Sequence, residues 1–223
     1  MDEMVLKAMV KWPNVPACRG WLGLDARGDW YMRDDRVQAL GSFAGEDGLP
    51  ASRERKGSRL LHDKLIAFIA RNYAADAQGQ WFFQNGPQRV FVELELAPWV
   101  WRLNPDAVDV VTSHTGQLAT VHAAITDERG HLYLHTDVGL GVVHTLDMDL
   151  AADRLEAGHW QLTSVPSHSL PARFGYVLSP AAMVSSLEQQ GQKKSHRAGG
   201  LVDYFAASGA AGTGNLPPPA LAM

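Results

Sequence analysis

Three side chains in the second half of the chain, His135, Asp137 and His144, are of the types that hold a divalent metal or move protons. If residues 131–136 run as a strand, His135 and Asp137 face the same side about 6.6 Å apart along the chain, near enough to share a metal or to orient one another. His144 and Asp147, beyond the glycine turn at Gly139 and Gly141, complete such a site. The competing description is a polar hairpin whose histidines make only local hydrogen bonds. His131 and His135 are not a chelating pair on a strand, because four residues span about 13 Å.

A second group lies upstream. Glu93 and Glu95 project from one face of the run from Arg89 to Leu96, with Arg89 four positions before Glu93. That arrangement suits paired-carboxylate acid/base work, or a solvent-side charge ladder between strands. Trp99 and Trp101 alternate with Val100 after Pro98, so both indoles share one face. They are either core or an apolar recognition surface. Arg89, Glu93, Glu95, Trp99 and Trp101 are therefore the expected ligand-binding residues, and His135, Asp137 and His144 the expected metal set.

Recognisable catalytic signatures are missing. The chain has no P-loop, no His-Glu-x-x-His and no Gly-x-Ser-x-Gly. Gly139-x-Gly141 resembles the start of a dinucleotide-binding turn, but His144 stands where the third glycine belongs, so no cofactor is expected. Ser113-His114 supplies part of a triad inventory without its geometry.

The elements that must position these residues follow from periodicity. Met4, Val5, Ala8, Met9 and Trp12 predict a helix ended by Pro13. Leu61, Leu65, Phe68, Ile69 and Tyr73 make an apolar stripe, which predicts a helix over residues 59–75. Strands are expected at 21–24, 30–32, 80–84, 89–96, 99–103, 108–112, 118–126, 131–136, 160–162 and 174–178, with a short helix at 147–156 and another starting at Ser179-Pro180 and running to Gln190. In the strand at 89–96, Val90, Val92, Leu94 and Leu96 face one side and Arg89, Phe91, Glu93 and Glu95 the other. Residues 41–58, with Arg53, Arg55, Lys56 and nearby Arg59, read as a solvated loop or an anion site.

One motif recurs. Asp-x-x-Gly, one residue, then two bulky ones, occurs from Asp25, Asp76 and Asp127, at equal spacing. Asp opens a turn through its side-chain acceptor and Gly supplies the positive φ at its end, so a structural repeat is one reading and coincidence of a common turn the other.

The 223 residues carry 20 Lys+Arg against 24 Asp+Glu, for a net charge of −4, and 46% are apolar. Without a broad positive field, nucleic-acid binding is not expected. Cys18 is the lone cysteine, which leaves no partner for an intramolecular disulfide or a Cys-based zinc site. No apolar run approaches membrane length, so a cytoplasmic protein with no membrane association is expected. Residues 191–223, rich in Gly and Pro and containing the apolar segment Leu201-Val202-Asp203-Tyr204-Phe205, read as a disordered tail.

The segments Lys11-Trp12-Pro13-Asn14-Val15-Pro16, Gly20-Trp21-Leu22-Gly23-Leu24-Asp25 and Ile69-Ala70-Arg71-Asn72-Tyr73, with the run from Trp81 to Leu94, resemble an uncharacterised proteobacterial family of unknown function, over about residues 1 to 180. The order of helix, Asp-x-x-Gly turn, Val-x-Val-Glu strand and Ala-Pro-aromatic is more distantly similar to a second such family with repeated β-rich motifs and a suggested part in signal transduction. The resemblance implies an α+β fold and transfers no catalytic residue. The expectation is one α+β domain over 1–190, with two related β-rich lobes at about 1–75 and 76–190. A twisted, mainly antiparallel sheet with repeated hairpins is expected to pack on the central helix, between short terminal helices. Its expected role is a non-catalytic module that binds a small molecule or protein; the alternative is a metal-dependent or acid/base hydrolase centred on His135, Asp137 and His144.

Overall fold

The computed structural model describes residues 1–45, 51–184 and 186. The expected tail at 191–223 and most of the helix expected beyond residue 184 lie outside the described residues. The chain divides into two units, the first of which, Met1–Ala181, is compact. Among the described residues no helix is long and apolar enough to cross a membrane.

Within the first unit the chain runs α1 (Glu3–Lys11), β1 (Cys18–Leu24), β2 (Trp30–Met32), α2 (Asp35–Ala39), α3 (Arg53–Lys56), β3 (Ser58–Arg59), α4 (Asp63–Arg71), β4 (Tyr73–Ala75), β5 (Trp81–Asn85) and β6 (Gln88–Leu94). It continues through β7 (Trp99–Asn104), β8 (Ala107–Ser113), β9 (Leu118–Thr126), β10 (Leu132–Thr136), β11 (Gly139–Val143), α5 (Met148–Glu156), β12 (Leu162–Ser164) and α6 (Leu170–Phe174). The fold is mixed α+β with two six-stranded sheets. The first has the order β3-β2-β1-β6-β5-β4; in the second, β10-β11-β7-β8-β9-β12, an added β10–β9 pairing closes a small barrel.

The two sheets share a strand order. Read from one edge, β2-β1-β6-β5-β4 corresponds to β8-β7-β11-β10-β9, each with a parallel pair at its centre, β1 with β6 and β7 with β11. In the barrel, β8 runs straight into β9 through a four-residue reversal, and those two strands pair. In the first sheet, α2, α3, β3 and α4 intervene between β2 and β4, and that sheet stays open. The boundary expected at 75/76 falls between β4 and β5, which are hydrogen-bonded neighbours.

Sheet packs on sheet. Leu22, Leu24, Val92 and Leu94 from the first share a buried cluster with Val100, Ile125, Tyr133, Leu140 and Val142 of the second. The helix expected over 59–75 is shorter and less central than its stripe implied. It spans nine residues as α4 and fully buries only Ile69, while Leu61 and Leu65 remain exposed. It stops at Asn72, whose Nδ2 donates to Phe68 O and whose Oδ1 accepts from Asp2 N. Tyr73 then enters β4, because its ring is needed against Trp30, Trp81 and Trp99.

The barrel interior is tight. Trp101 Nε1 donates to Leu134 O at 3.0 Å, satisfying an indole that is fully buried. At one end Arg154, also buried, donates to the carbonyls of Asn104, Ala107 and Val108. A Cβ at Gly141 would meet the Trp101 indole and lie 2.6 Å from Trp99 Cβ, so the strand passes only because position 141 has no side chain. Gly141→Ala is expected to lower stability by ~1–3 kcal/mol through overpacking, read as a lower urea midpoint at unchanged slope. A midpoint equal to wild type would show that the tryptophans repack at no cost.

Candidate functional site

The three Asp-x-x-Gly motifs are one structure built three times. Asp25, Asp76 and Asp127 join β1 to β2, β4 to β5 and β9 to β10, all antiparallel pairs. In each, the Gly N–H donates to the Asp carbonyl at 3.1–3.2 Å. The Asp Oδ1 accepts the backbone N–H groups two and four residues on, at 2.9–3.0 Å. The reversal between β8 and β9 repeats the pattern with Ser113, whose Oγ accepts from Thr115 N and Gln117 N. Gly28, Gly79, Gly116 and Gly130 close the four turns at φ between 76° and 85°, where a side chain is strained.

Two of these turns, Asp25 to Gly28 and Asp127 to Gly130, line one cleft. Its first cavity, of about 290 Å³, is bordered by Asp25, Arg27, Lys56, Glu95, His131 and Thr145 among others. The second, of about 260 Å³, adds Arg129 and shares Ala26, Glu95 and His131 with the first. Lys56, at the end of α3, points inward to Glu95 at 2.7 Å and Asp25 at 3.8 Å. Glu95 Oε2 also accepts the Ala26 N–H at 2.8 Å, and Tyr31 OH donates to Asp25 Oδ2 at 3.3 Å. The basic stretch expected to be solvated thus supplies one cation to the interior, while Arg59 stays outside on Asp29.

Across the cleft, Asp127 Oδ2 is 2.8 Å from His131 Nδ1 and accepts Tyr133 OH at 3.0 Å. The carboxylate can only accept, so Nδ1 carries the proton and a neutral ring holds its lone pair at Nε2. Burial pulls the Asp127 pKa upward, but hydrogen bonds from His131 and Tyr133 outweigh it and leave the carboxyl below its usual range. Burial, reinforced by the Asp127 charge, pushes the Tyr133 phenol well up, so it serves as a donor.

The residues expected to bind ligand are dispersed. Trp99 and Trp101 share a face and stack at 5.8 Å, yet that face is the barrel interior, where Trp99 Nε1 donates to Val138 O. Closure of the sheet puts inside what an open edge would expose. Arg89 lies over the Phe82 ring on the outer part of β6. Glu93, expected on a solvent face, is buried: it accepts Ser179 Oγ–H at 2.5 Å and Ala181 N–H at 3.1 Å, and burial raises its pKa. Both faces of β6 are covered, since residues 176–181 return across one of them. Of the five, Glu95 alone borders the cleft.

The expected metal set is not assembled. A register shift between His135 and Thr136 ends the alternation on which the spacing argument depended. Asp137 accepts from Thr120 N, His144 Nδ1 accepts from Leu146 N, and His135 lies against His122 and Phe174. Among the described residues no group of three or more His, Cys, Asp or Glu is placed to share a metal ion. Spacing obscured the pair the structure does form, Asp127 with His131, since four residues along a turn bring side chains together that a strand would separate. The repeated turn motif was its sequence signal.

An apolar groove of about 240 Å³ lies elsewhere on the first sheet, lined by Cys18, Trp21, Met32, Leu65 and Phe83 among others. Burial raises the Cys18 thiol's pKa. Beneath the Asp25 turn, His114 is enclosed by Trp30, Tyr73 and Trp99, with ring centroids 5.6–5.8 Å away. Its Nδ1 accepts from Val100 N, and a Cβ on Gly28 would come within 2.8 Å of its own Cβ.

A family model described as "Protein of unknown function (DUF2946)" matches residues 1–181, and the chain belongs to that family. No curated protein matches it. A solved DUF1285 family protein from Silicibacter pomeroyi DSS-3 is similar at 12% identity and TM-score 0.42, over 63% of this chain and 72% of that one. A second, from Shewanella baltica OS155, is similar at 19% identity and TM-score 0.34, over 60% of this chain and 91% of that one.

The His114 environment yields a pH test. Burial pushes its pKa down to about 3, whereas the unfolded ring titrates near 6.5. A base with a depressed folded pKa contributes fully above the unfolded value, and that stability is lost as pH falls toward the folded one, by up to ~1.4 kcal/mol per pH unit. His114→Asn keeps an acceptor near Val100 N and removes the titration. Between pH 6.5 and 5 the wild-type urea midpoint is expected to fall more steeply than the variant's; parallel curves would place His114 in contact with water.

Proposed function

We propose that this family member is a non-catalytic binding module, of a regulatory kind, that takes a small ligand into the cleft between the Asp25 and Asp127 turns. The observation that carries the reading is the convergence of the two hydrogen-bonded turns on contiguous cavities that share Ala26, Glu95 and His131. A binding site needs a few polar groups fixed before the ligand arrives. Asp25 and Asp127 fix theirs through backbone bonds, and Leu132, Val142, Val143 and Met148 supply an apolar floor. The cavity volumes lie near the lower end for ligand pockets, which favours a metabolite-sized guest over a macromolecule. By contrast the groove beside Cys18 offers almost only apolar surface and little to orient a guest. A signalling role in the cytoplasm accords with this reading, the ligand being what is sensed.

A second reading has its own observation. Asp127 orients His131, which borders both cavities, and leaves the lone pair on Nε2, the arrangement of a general base. Acid/base hydrolysis, if the protein performs it, is therefore better supported at His131 than at His135, Asp137 and His144.

A fragment library of amino acids, sugars, dicarboxylates and phosphate monoesters, screened against the 15N-labelled full chain, tests the binding reading. Saturable shifts are expected at the amides of Ala26, Arg27, Gly130 and His131. Shifts confined to the Cys18 groove, or none, would contradict it. Turnover of p-nitrophenyl acetate that is abolished by both His131→Ala and Asp127→Asn would decide for hydrolysis instead.

A further inference from the structure

The charges around the cleft are not equally committed. Asp25 spends Oδ1 on the N–H groups of Arg27 and Asp29, and Oδ2 on Tyr31 and Lys56. Glu95 is held by Lys56 and by the Ala26 N–H. Asp127 accepts the backbone N–H groups of Arg129 and His131 at Oδ1, and is met by the His131 ring and the Tyr133 hydroxyl at Oδ2. Each acid bordering the cavities, and Asp127 behind them, is thus answered from within the fold.

The cations are less fully answered. Arg27 and Arg129 occupy the same third position of their respective turns, one on each sheet. Arg27 makes no side-chain hydrogen bond or ion pair among the described residues, and its guanidinium stands exposed at the first cavity. Arg129 has one long contact, 3.8 Å to Glu128. Glu128 itself is engaged by Ser167, whose N–H and Oγ–H donate at 2.7 and 2.5 Å and lower its pKa to about 2. Lys56 carries three N–H donors, meets both oxygens of Glu95 at 2.7 and 2.8 Å, and lies 3.8 Å from Asp25, beyond hydrogen-bond distance, which leaves one donor for a guest. What the two turns present outward is therefore donor-rich and positive.

Resting on the reading of this cleft as a ligand site, we propose that its guest is a small phosphate monoester, with the dianion held between Arg27 and Arg129 from the opposed turns and by the remaining N–H of Lys56. Guanidinium groups match phosphate oxygens in paired hydrogen bonds, and a tetrahedral group accepts donors arriving from three elements more readily than a planar carboxylate does. The apolar floor at Leu132, Val142 and Met148 takes the ester's organic part.

The test is titration of the 15N-labelled full chain with glycerol 3-phosphate, with inorganic phosphate, succinate and glycerol as parallel arms. Saturable shifts at Ala26, Arg27, Gly130 and His131 are expected with glycerol 3-phosphate and none with glycerol. Arg27→Gln and Arg129→Gln are each expected to weaken binding tenfold or more, while Arg36→Gln, an exposed arginine on α2, leaves it unchanged. Well-dispersed spectra of the variants confirm that they fold. If succinate binds as tightly as the monoester, or if Arg36→Gln weakens binding as much as the other two, the phosphate assignment is overturned. If no anion shifts these amides while neutral fragments do, the assignment fails and the cleft survives as a site. If no probe of any charge shifts them, both fall.

Discussion

A carboxylate taken out of water must have its hydrogen bonds supplied by the protein. In this chain that requirement is met locally, by the backbone that the carboxylate organises. Asp25 and Asp127, each 5% exposed, accept N–H groups two and four residues ahead, so burying the acid and reversing the chain are one event. Asp76 does the same between β4 and β5, and Ser113 does it with a neutral oxygen between β8 and β9. Residues inside such a turn have little freedom, and their side chains project outward from a fixed frame. The cleft inherits its geometry from that frame.

The frame is repeated because the strand order is. Both sheets place a parallel pair at the centre and an Asp turn beside an antiparallel hairpin. One sheet closes into a barrel because β8 and β9 are joined by the short Ser113 turn; the other stays open because four elements separate β2 from β4. Those intervening elements are not idle. They carry Lys56 to Asp25 and Glu95, where an ion pair with little exposure ties α3 to the ends of β1 and β6. The strand order common to β1–β6 and β7–β11 is thus interrupted in the first sheet by elements that bring Lys56 to the cleft.

Much of the fold was legible in local pattern. Val92 and Leu94 sit in the core as alternation required, the Asp-x-x-Gly motifs are equivalent turns, and the strands at 118–126 and 131–136 lie where expected. What could not be read was which face meets water. Trp99 and Trp101 share a face in either case, but closure of the barrel, a long-range event, turned it inward. Glu93 looked solvent-facing because its strand alternates, yet Ser179 and Ala181 arrive from more than eighty residues away to cover it. The site suffered from the same blindness. Strand spacing groups His135 with Asp137, but a register shift interrupts it there, whereas Asp127 and His131 meet because the chain turns between them, a geometry that strand spacing does not describe.

The most direct measurement is native mass spectrometry of the full chain, released gently from its expression host, alongside an Arg27→Gln/Arg129→Gln variant prepared in the same way. A small-molecule adduct carried by the wild type and absent from the double variant is the predicted result. An adduct retained undiminished by the double variant, or wild-type protein that is bare in every preparation, would contradict the claim that the two turns together form the binding site.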